Sequence, residues 1–157
     1  TTIKMKIVST KILSVVLLSV AFLSSCTKDD AEPTVDQKAK TTEFLAAVNA
    51  RDVSKIEELV TENYIQHNPF IPTGRDAFVG LLTTVLEDNG TRVENVRMFE
   101  EDGFVAMHNL WVNAAPFGAD TVVTFDILRF DGDGKIAEHW DAIQQIPETS
   151  ANGNTMY

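Results

Sequence analysis

The sequence predicts an α+β domain in which three helices cover one face of a curved antiparallel sheet. Apolar residues recur at three- and four-residue steps as far as Leu86. After Gly90 the period changes to alternation, and the alternating stretches are joined by short turns rich in Asp and Gly. A chain of 157 residues needs no second folded domain to account for its length.

Val35, Ala39, Thr42, Leu45 and Val48 give the first helix one face and an end near residues 49–52. Ser54 and Glu57 are spaced as a capping box for a second, shorter helix with Val53, Ile56, Leu59 and Val60 on one face. Residues 64–68 form a short extended piece broken by Pro69 and Pro72. Thr73 and Asp76 then offer a second capping box, and Phe78, Leu81, Leu82, Val85 and Leu86 form the stripe of a third helix that Asn89-Gly90 stops. Strands follow at 92–100 and 104–113 around Glu101-Asp102-Gly103, and at 121–130 and 135–145 around Asp131-Gly132-Asp133-Gly134. Together they make a four-stranded meander against the helices. The Asp-Gly-Asp-Gly segment lacks the further acidic ligands and closing Glu of a calcium loop, which leaves a hairpin turn.

The first 34 residues read differently. Lys6 and Lys11 precede an apolar run at 12–23 that is too short to span a bilayer, and small residues lead to Cys26, in the order of a secretory leader. Leu23-Ser24-Ser25-Cys26 resembles the bacterial lipobox, which implies a leader at 1–25 that is removed and lipidation of Cys26. Residues 26–34 are then a polar tether, and 35–157 the folded domain. Thr27-Lys28-Asp29-Asp30 looks like an export tag of surface lipoproteins and reads equally as a solvated linker. The expected location is the bacterial envelope, lipid-anchored at the outer membrane or cell surface. Cys26 is the single cysteine, so the chain holds no internal disulfide. With 13 basic against 23 acidic residues and a net charge of −10, nucleic acid is excluded as an expected partner, because clustered cations are missing.

Candidate chemistry lies on the strands. Period-two geometry puts His139, Asp141 and Ile143 on one face of the last strand, and Val122, Thr124, Asp126 and Leu128 on one face of the strand before it. On the second strand Ala106, His108 and Leu110 share a face. Polar groups among such apolar neighbours are costly unless paired or functional, so Asp141, His108 and Asp126 are the catalytic candidates. His67, beside Asn68, is expected to reach the same cavity from the helical layer. Trp111 is a candidate pocket wall, and His139 completes the set of ligand-binding candidates with His67 and Asn68. A carboxylate beside an imidazole in an apolar pocket suits proton transfer. The same residue types suit zinc or iron, but no short ligand motif fixes a geometry, so no metal is expected.

Three phrases carry a resemblance: Tyr64-Ile65-Gln66-His67-Asn68-Pro69, Phe125-Asp126-Ile127-Leu128-Arg129-Phe130, and Gly134-Lys135-Ile136-Ala137-Glu138-His139-Trp140-Asp141. In this order and spacing they resemble the SnoaL-like polyketide cyclase family of the nuclear-transport-factor-2-like superfamily, from about Asp36 onward. The resemblance implies a conical barrel of helices and strongly bent sheet around a deep pocket. It implies aldol-type ring closure without metal or organic cofactor, with Asp141 as general acid/base. Some cyclases of the family carry a histidine at the position of Asp126. His67 and His108 look typical of a related subgroup associated with aldol condensation. A homodimer through the outer sheet face, where Glu138 and Trp140 lie, is also implied.

Two functions follow as expectations. One is a cofactor-independent enzyme moving protons next to a carbonyl, in condensation, cyclisation or isomerisation. The other is a membrane-tethered, non-catalytic protein that holds a small apolar or carbonyl-containing molecule in the same pocket.

Overall fold

The computed structural model describes residues 35–86 and 90–157. The expected leader, Cys26 and tether at 1–34 lie outside the described residues. Helix α1 (Gln37–Ala50) begins at Asp36, whose carboxylate accepts from the Ala39 amide at 2.8 Å. It ends where Arg51 turns into the left-handed region at φ 58°. Its buried stripe is Thr41, Phe44, Leu45, Ala47 and Val48, while Ala39 and Thr42 are exposed. The face is turned by about one residue from the expected one because Phe44, the bulkiest side chain on the helix, takes an inward position.

Helix α2 (Val53–Leu59) is capped by Asp52 rather than by Ser54. The Asp52 carboxylate accepts from the Lys55 amide at 3.0 Å and from the Ser54 hydroxyl at 2.7 Å. These bonds, the Ser54 hydroxyl first, hold Asp52 below its ordinary value, and its charge complements the helix N-terminus. Strand β1 (Val60–Gln66) follows directly, then helix α3 (Arg75–Leu86). Thr73 does not serve as the expected cap. Its hydroxyl accepts from the Gln66 amide at 3.0 Å, and the Gly74 amide donates to the Tyr64 carbonyl at 2.8 Å. The loop between β1 and α3 is thereby folded back onto the strand.

Strands β2 (Arg92–Glu101), β3 (Phe104–Val112), β4 (Thr121–Phe130) and β5 (Ile136–Gln145) form the expected meander, with a short 3-10 helix at Ala115–Phe117 before β4. β1 adds a fifth strand, parallel to β5, which the sequence reading left as an isolated extended piece. The order β1-β5-β4-β3-β2 leaves β1 and β2 as edges, so the sheet is not a closed barrel. The β2–β3 turn needs positive φ at both Asp102 (49°) and Gly103 (87°), the pattern of a tight hairpin matched to strand twist. At the β4–β5 turn the Asp131 carboxylate accepts from the amides of Asp133 (3.0 Å) and Lys135 (2.8 Å), which makes this segment the expected turn.

The core lies between the helices and the inner sheet face. Phe44, Leu45 and Val48 of α1, Ile56 and Leu59 of α2, and Phe78, Val79 and Leu82 of α3 pack against Val93, Val105, Met107, Leu128, Phe130 and Ile136. Asn49 ties the layers together: its amide donates to the Val93 carbonyl at 2.8 Å, and its oxygen accepts from the Val93 amide at 2.9 Å.

Candidate functional site

The expected faces of β4 and β5 hold. Asp126 stands directly opposite Asp141, and Leu128 opposite His139, all on the inner face. Strand β3 differs. Met107 pairs with Asp126 and Asn109 with Thr124, so Val105, Met107, Asn109 and Trp111 point inward while Ala106, His108 and Leu110 point outward. The expectation that His108 enters the cavity is therefore corrected. It is buried on the opposite face, its ring flat against Phe125 at 4.5 Å and 9°, and Nε2 has no hydrogen-bond partner among the described residues.

His67 is corrected for the same reason. Alternation continues past the end of β1, so Gln66 and Asn68 are buried and His67 between them is exposed. His67 stacks on Trp140 at 4.3 Å and 4°, with Nε2 at 3.2 Å from Glu138. Glu138 also accepts from Arg129, and these two partners, Arg129 first, hold its carboxyl below the usual range.

Hydrogen bonds from all five strands converge on the inner face, and they point one way. Asn95 on β2 donates to Asn109 on β3 at 2.7 Å, and Asn109 donates to Asp126 Oδ2 at 2.8 Å. Trp111 donates through its indole N–H to Thr124 at 3.2 Å, and the Thr124 hydroxyl donates to the same Oδ2. His139 Nε2 lies 3.1 Å from Asp126 Oδ1, and its Nδ1 lies 3.1 Å from the Gln66 amide nitrogen on β1. The Gln66 orientation is fixed because its oxygen accepts from the Asn68 amide at 2.9 Å. Nδ1 must then accept, so the tautomer that satisfies both contacts carries its hydrogen on Nε2, aimed at Asp126. Asp126 is the common acceptor, its charge met by dipoles rather than by a cation.

Asp141 is held more loosely. Asn68 Nδ2 reaches both of its oxygens, at 2.8 and 2.9 Å, and Asn68 is itself anchored by the Phe70 amide on its carbonyl at 2.9 Å. Asp141 is half-buried, with its carboxylate within 4.8 Å of acceptor or donor atoms of Asp126 and His139.

Next to this network is a cavity of about 70 Å³ walled by Phe44, Phe78, Leu82, Met107 and Trp111, with Tyr64, Asn109, Asp126 and His139 also on its lining. The deep pocket implied by resemblance is thus a small hollow, about half of a roughly 150 Å³ engineered cavity that takes up benzene. The aromatic rings fill the rest: Tyr64 and Phe44 each pack on Phe78, at 5.0 and 6.2 Å.

One atom each from Asp126, His139 and Asp141 lie close enough to share a metal ion, and the types suit zinc or iron. His139 Nδ1 is engaged by Gln66 and Asp126 Oδ2 by Asn109 and Thr124, while His139 Nε2 and Asp126 Oδ1 are engaged by each other, so a cation bound there would take the place of the hydrogen between those two atoms.

Residues 41–139 match the SnoaL-like domain family. The chain belongs to that family. Solved structures similar to this SnoaL-like domain include IdmH of Streptomyces antibioticus, a candidate polyketide cyclase, with 16% identity over 69% of this chain and 91% of that one and a TM-score of 0.57. An NTF2-like protein of unknown function from Cytophaga hutchinsonii gives 16%, 69% and 89%, with a TM-score of 0.59. An LEH-like epoxide hydrolase from M. tuberculosis gives 15%, 69% and 82%, with a TM-score of 0.55. At these identities the likeness shows a shared NTF2-like α+β fold. No curated protein sequence matches the chain.

The fold brings Asp126, Asp141, His139, Asn68 and Trp111 together on the inner face as the sequence suggested, and His67 and His108 are not there. Tyr64, Gln66, Asn109 and Thr124 join the site without having been singled out. Alternation alone carries a signal for three of them: Thr124 shares parity with Asp126, and Tyr64 and Gln66 share parity with Asn68, whereas His67 does not.

Proposed function

We propose that this domain is a cofactor-independent enzyme that moves a proton at a carbon next to a carbonyl, in an aldol-type condensation, cyclisation or isomerisation. The observation that carries the reading is the asymmetry between the two carboxylates. Asp126 accepts from three side chains, Asn109, Thr124 and His139, while Asp141 accepts from Asn68 alone and keeps a free lone pair on each oxygen. Asp141 is the carboxylate with fewer of its lone pairs committed to protein donors, so Asp141 takes the proton. The electron pair left on carbon moves onto the carbonyl oxygen. The resulting enolate then attacks a second carbonyl carbon, whose oxygen becomes an alkoxide and takes the proton back from Asp141, or it is reprotonated by Asp141 at another position. Gln66, His139 and Asp126 hold the neighbouring donors in place, and the apolar walls exclude water. A hollow of about 70 Å³ fits the reacting end of a substrate rather than a polycyclic body.

One observation favours the second reading, a non-catalytic binding protein: Asn109, Trp111, Asp126 and His139 on the lining of the hollow are spent within one network, as in a site built for stability. Incubation of carbonyl compounds with the protein in heavy water separates the two. The enzymatic reading predicts exchange of hydrogens next to the carbonyl, slowed at least about a hundredfold in Asp141→Asn with ligand affinity barely changed. A panel with no exchange above the uncatalysed rate leaves the binding reading.

The reading includes export and lipidation at Cys26, supported by the order of charge, apolar run, small residues and cysteine. It also includes a homodimer across the outer sheet face, where Phe99 (66%), Phe125 (57%) and Ile127 (42%) are exposed side by side with Trp140. An apolar face of this kind suits a second copy of the chain.

A further inference from the structure

The proposed chemistry needs a donor for the carbonyl oxygen, and His67, stacked on Trp140, lies on the wrong face of the sheet. Tyr64 occupies the right one. It is 1% exposed, lines the hollow beside Asp126 and His139, and its ring is set by Phe78. The Gln66 amide donates to its phenolic oxygen at 3.1 Å. That bond uses the oxygen as acceptor and leaves the hydroxyl hydrogen, and among the described residues no group accepts it. Every other polar side chain on the lining, Asn109, Trp111, Asp126 and His139, is engaged within the network.

We infer that Tyr64 is the group that binds the ligand, donating its O–H to the oxygen of an uncharged carbonyl compound, and that the hollow discriminates against carboxylates of the same shape. The chain of bonds favours it: the Asn68 amide donates to Gln66, and Gln66 donates to Tyr64, so each bond polarises the next towards the cavity. Burial first, then the charges of Asp141 and Asp126, raise the phenol well above its ordinary value, so the proton stays on oxygen at any physiological pH. The same two carboxylates repel an anion, and among the described residues no Lys or Arg lines the hollow. The inference rests on the carbonyl reading for the class of ligand, and on the geometry of Tyr64 for the donor.

Acetone and acetate have the same shape and differ in charge, which makes them the probes. Titration of the protein with acetone labelled with carbon-13 at the carbonyl is expected to move the bound carbonyl resonance downfield, as a new hydrogen bond to oxygen requires. Tyr64→Phe, which keeps the ring and loses the hydroxyl, is expected to weaken binding by about three- to tenfold and abolish the shift. Acetate is expected not to compete. Bound acetone with an unshifted carbonyl, equal affinity in Tyr64→Phe, competition by acetate, or no uptake of acetone would each overturn the inference. The methyl hydrogens of acetone report separately in the same sample. If they fail to exchange with heavy water while the Tyr64-dependent shift persists, proton transfer by Asp141 falls and ligand capture by Tyr64 stands.

Discussion

On the inner face His139 offers one ring nitrogen to Gln66 and the other to Asp126, whereas on the outer face His108 and His67 lie flat against Phe125 and Trp140. The two faces belong to the same strands and carry the same residue types, imidazoles, carboxylates and aromatics. What separates them is the kind of donor: neutral amides and hydroxyls inside, and outside the guanidinium of Arg129 on Glu138. The inner face has Asn68, Asn95, Asn109 and Thr124 around buried Asp126, and the outer face surrounds its Arg129–Glu138 pair with Phe99, Phe104, Ala106 and Ile127. A histidine is therefore a poor marker of a site by itself; the amides and hydroxyls arranged around it are better.

Breaking the inner network should cost most. Asn109→Leu removes one donor from the buried Asp126 and the acceptor of Asn95, and an expected loss of about 2–3 kcal/mol would show as a lower denaturant midpoint. On the outer face Ile127→Glu should leave folding intact and convert a dimer to monomer in sedimentation; an unchanged sedimentation coefficient would remove the outer face from assembly. His108→Phe should change stability by less than about 1 kcal/mol, in either direction. It replaces a buried nitrogen that has no partner among the described residues by carbon and keeps the stack on Phe125. The smallest effect belongs to Glu138. Its folded value lies below the ordinary 4.5, so its stabilisation is present above that value and is lost as pH falls through the folded one. Glu138→Gln should flatten the acid side of the stability profile slightly and leave pH 7–8 behaviour unchanged, as thermal melts across pH 3–8 would show.

Much of this was legible in the sequence. The change of period after Gly90 and the two Asp-Gly turns gave the meander, and on β4 the alternation of Val122, Thr124, Asp126 and Leu128 gave the inner face directly. Strand β3 was ambiguous because Val105, Met107 and Trp111 are no more apolar as a set than Phe104, Ala106 and Leu110. Its own spacing held the answer: Trp111 and His108 are three residues apart, so on one strand they cannot share a face. Strand β1 was obscured because Val60 continues the apolar pattern of α2. The roles of Asn109 and Gln66 depend on cross-strand register, Asn109 against Thr124 and Gln66 against His139. The first of these follows from the path of residues 113–120, and no local pattern encodes it.

The account is tested most directly by one rate ratio, that of hydrogen exchange next to a carbonyl in Asp141→Asn against His67→Gln, with the same carbonyl compound and conditions. Placement of the chemistry on the inner face predicts exchange at least about a hundredfold slower in Asp141→Asn and within about twofold of the unsubstituted protein in His67→Gln. Equal rates in the two variants, or a greater loss in His67→Gln, would contradict it.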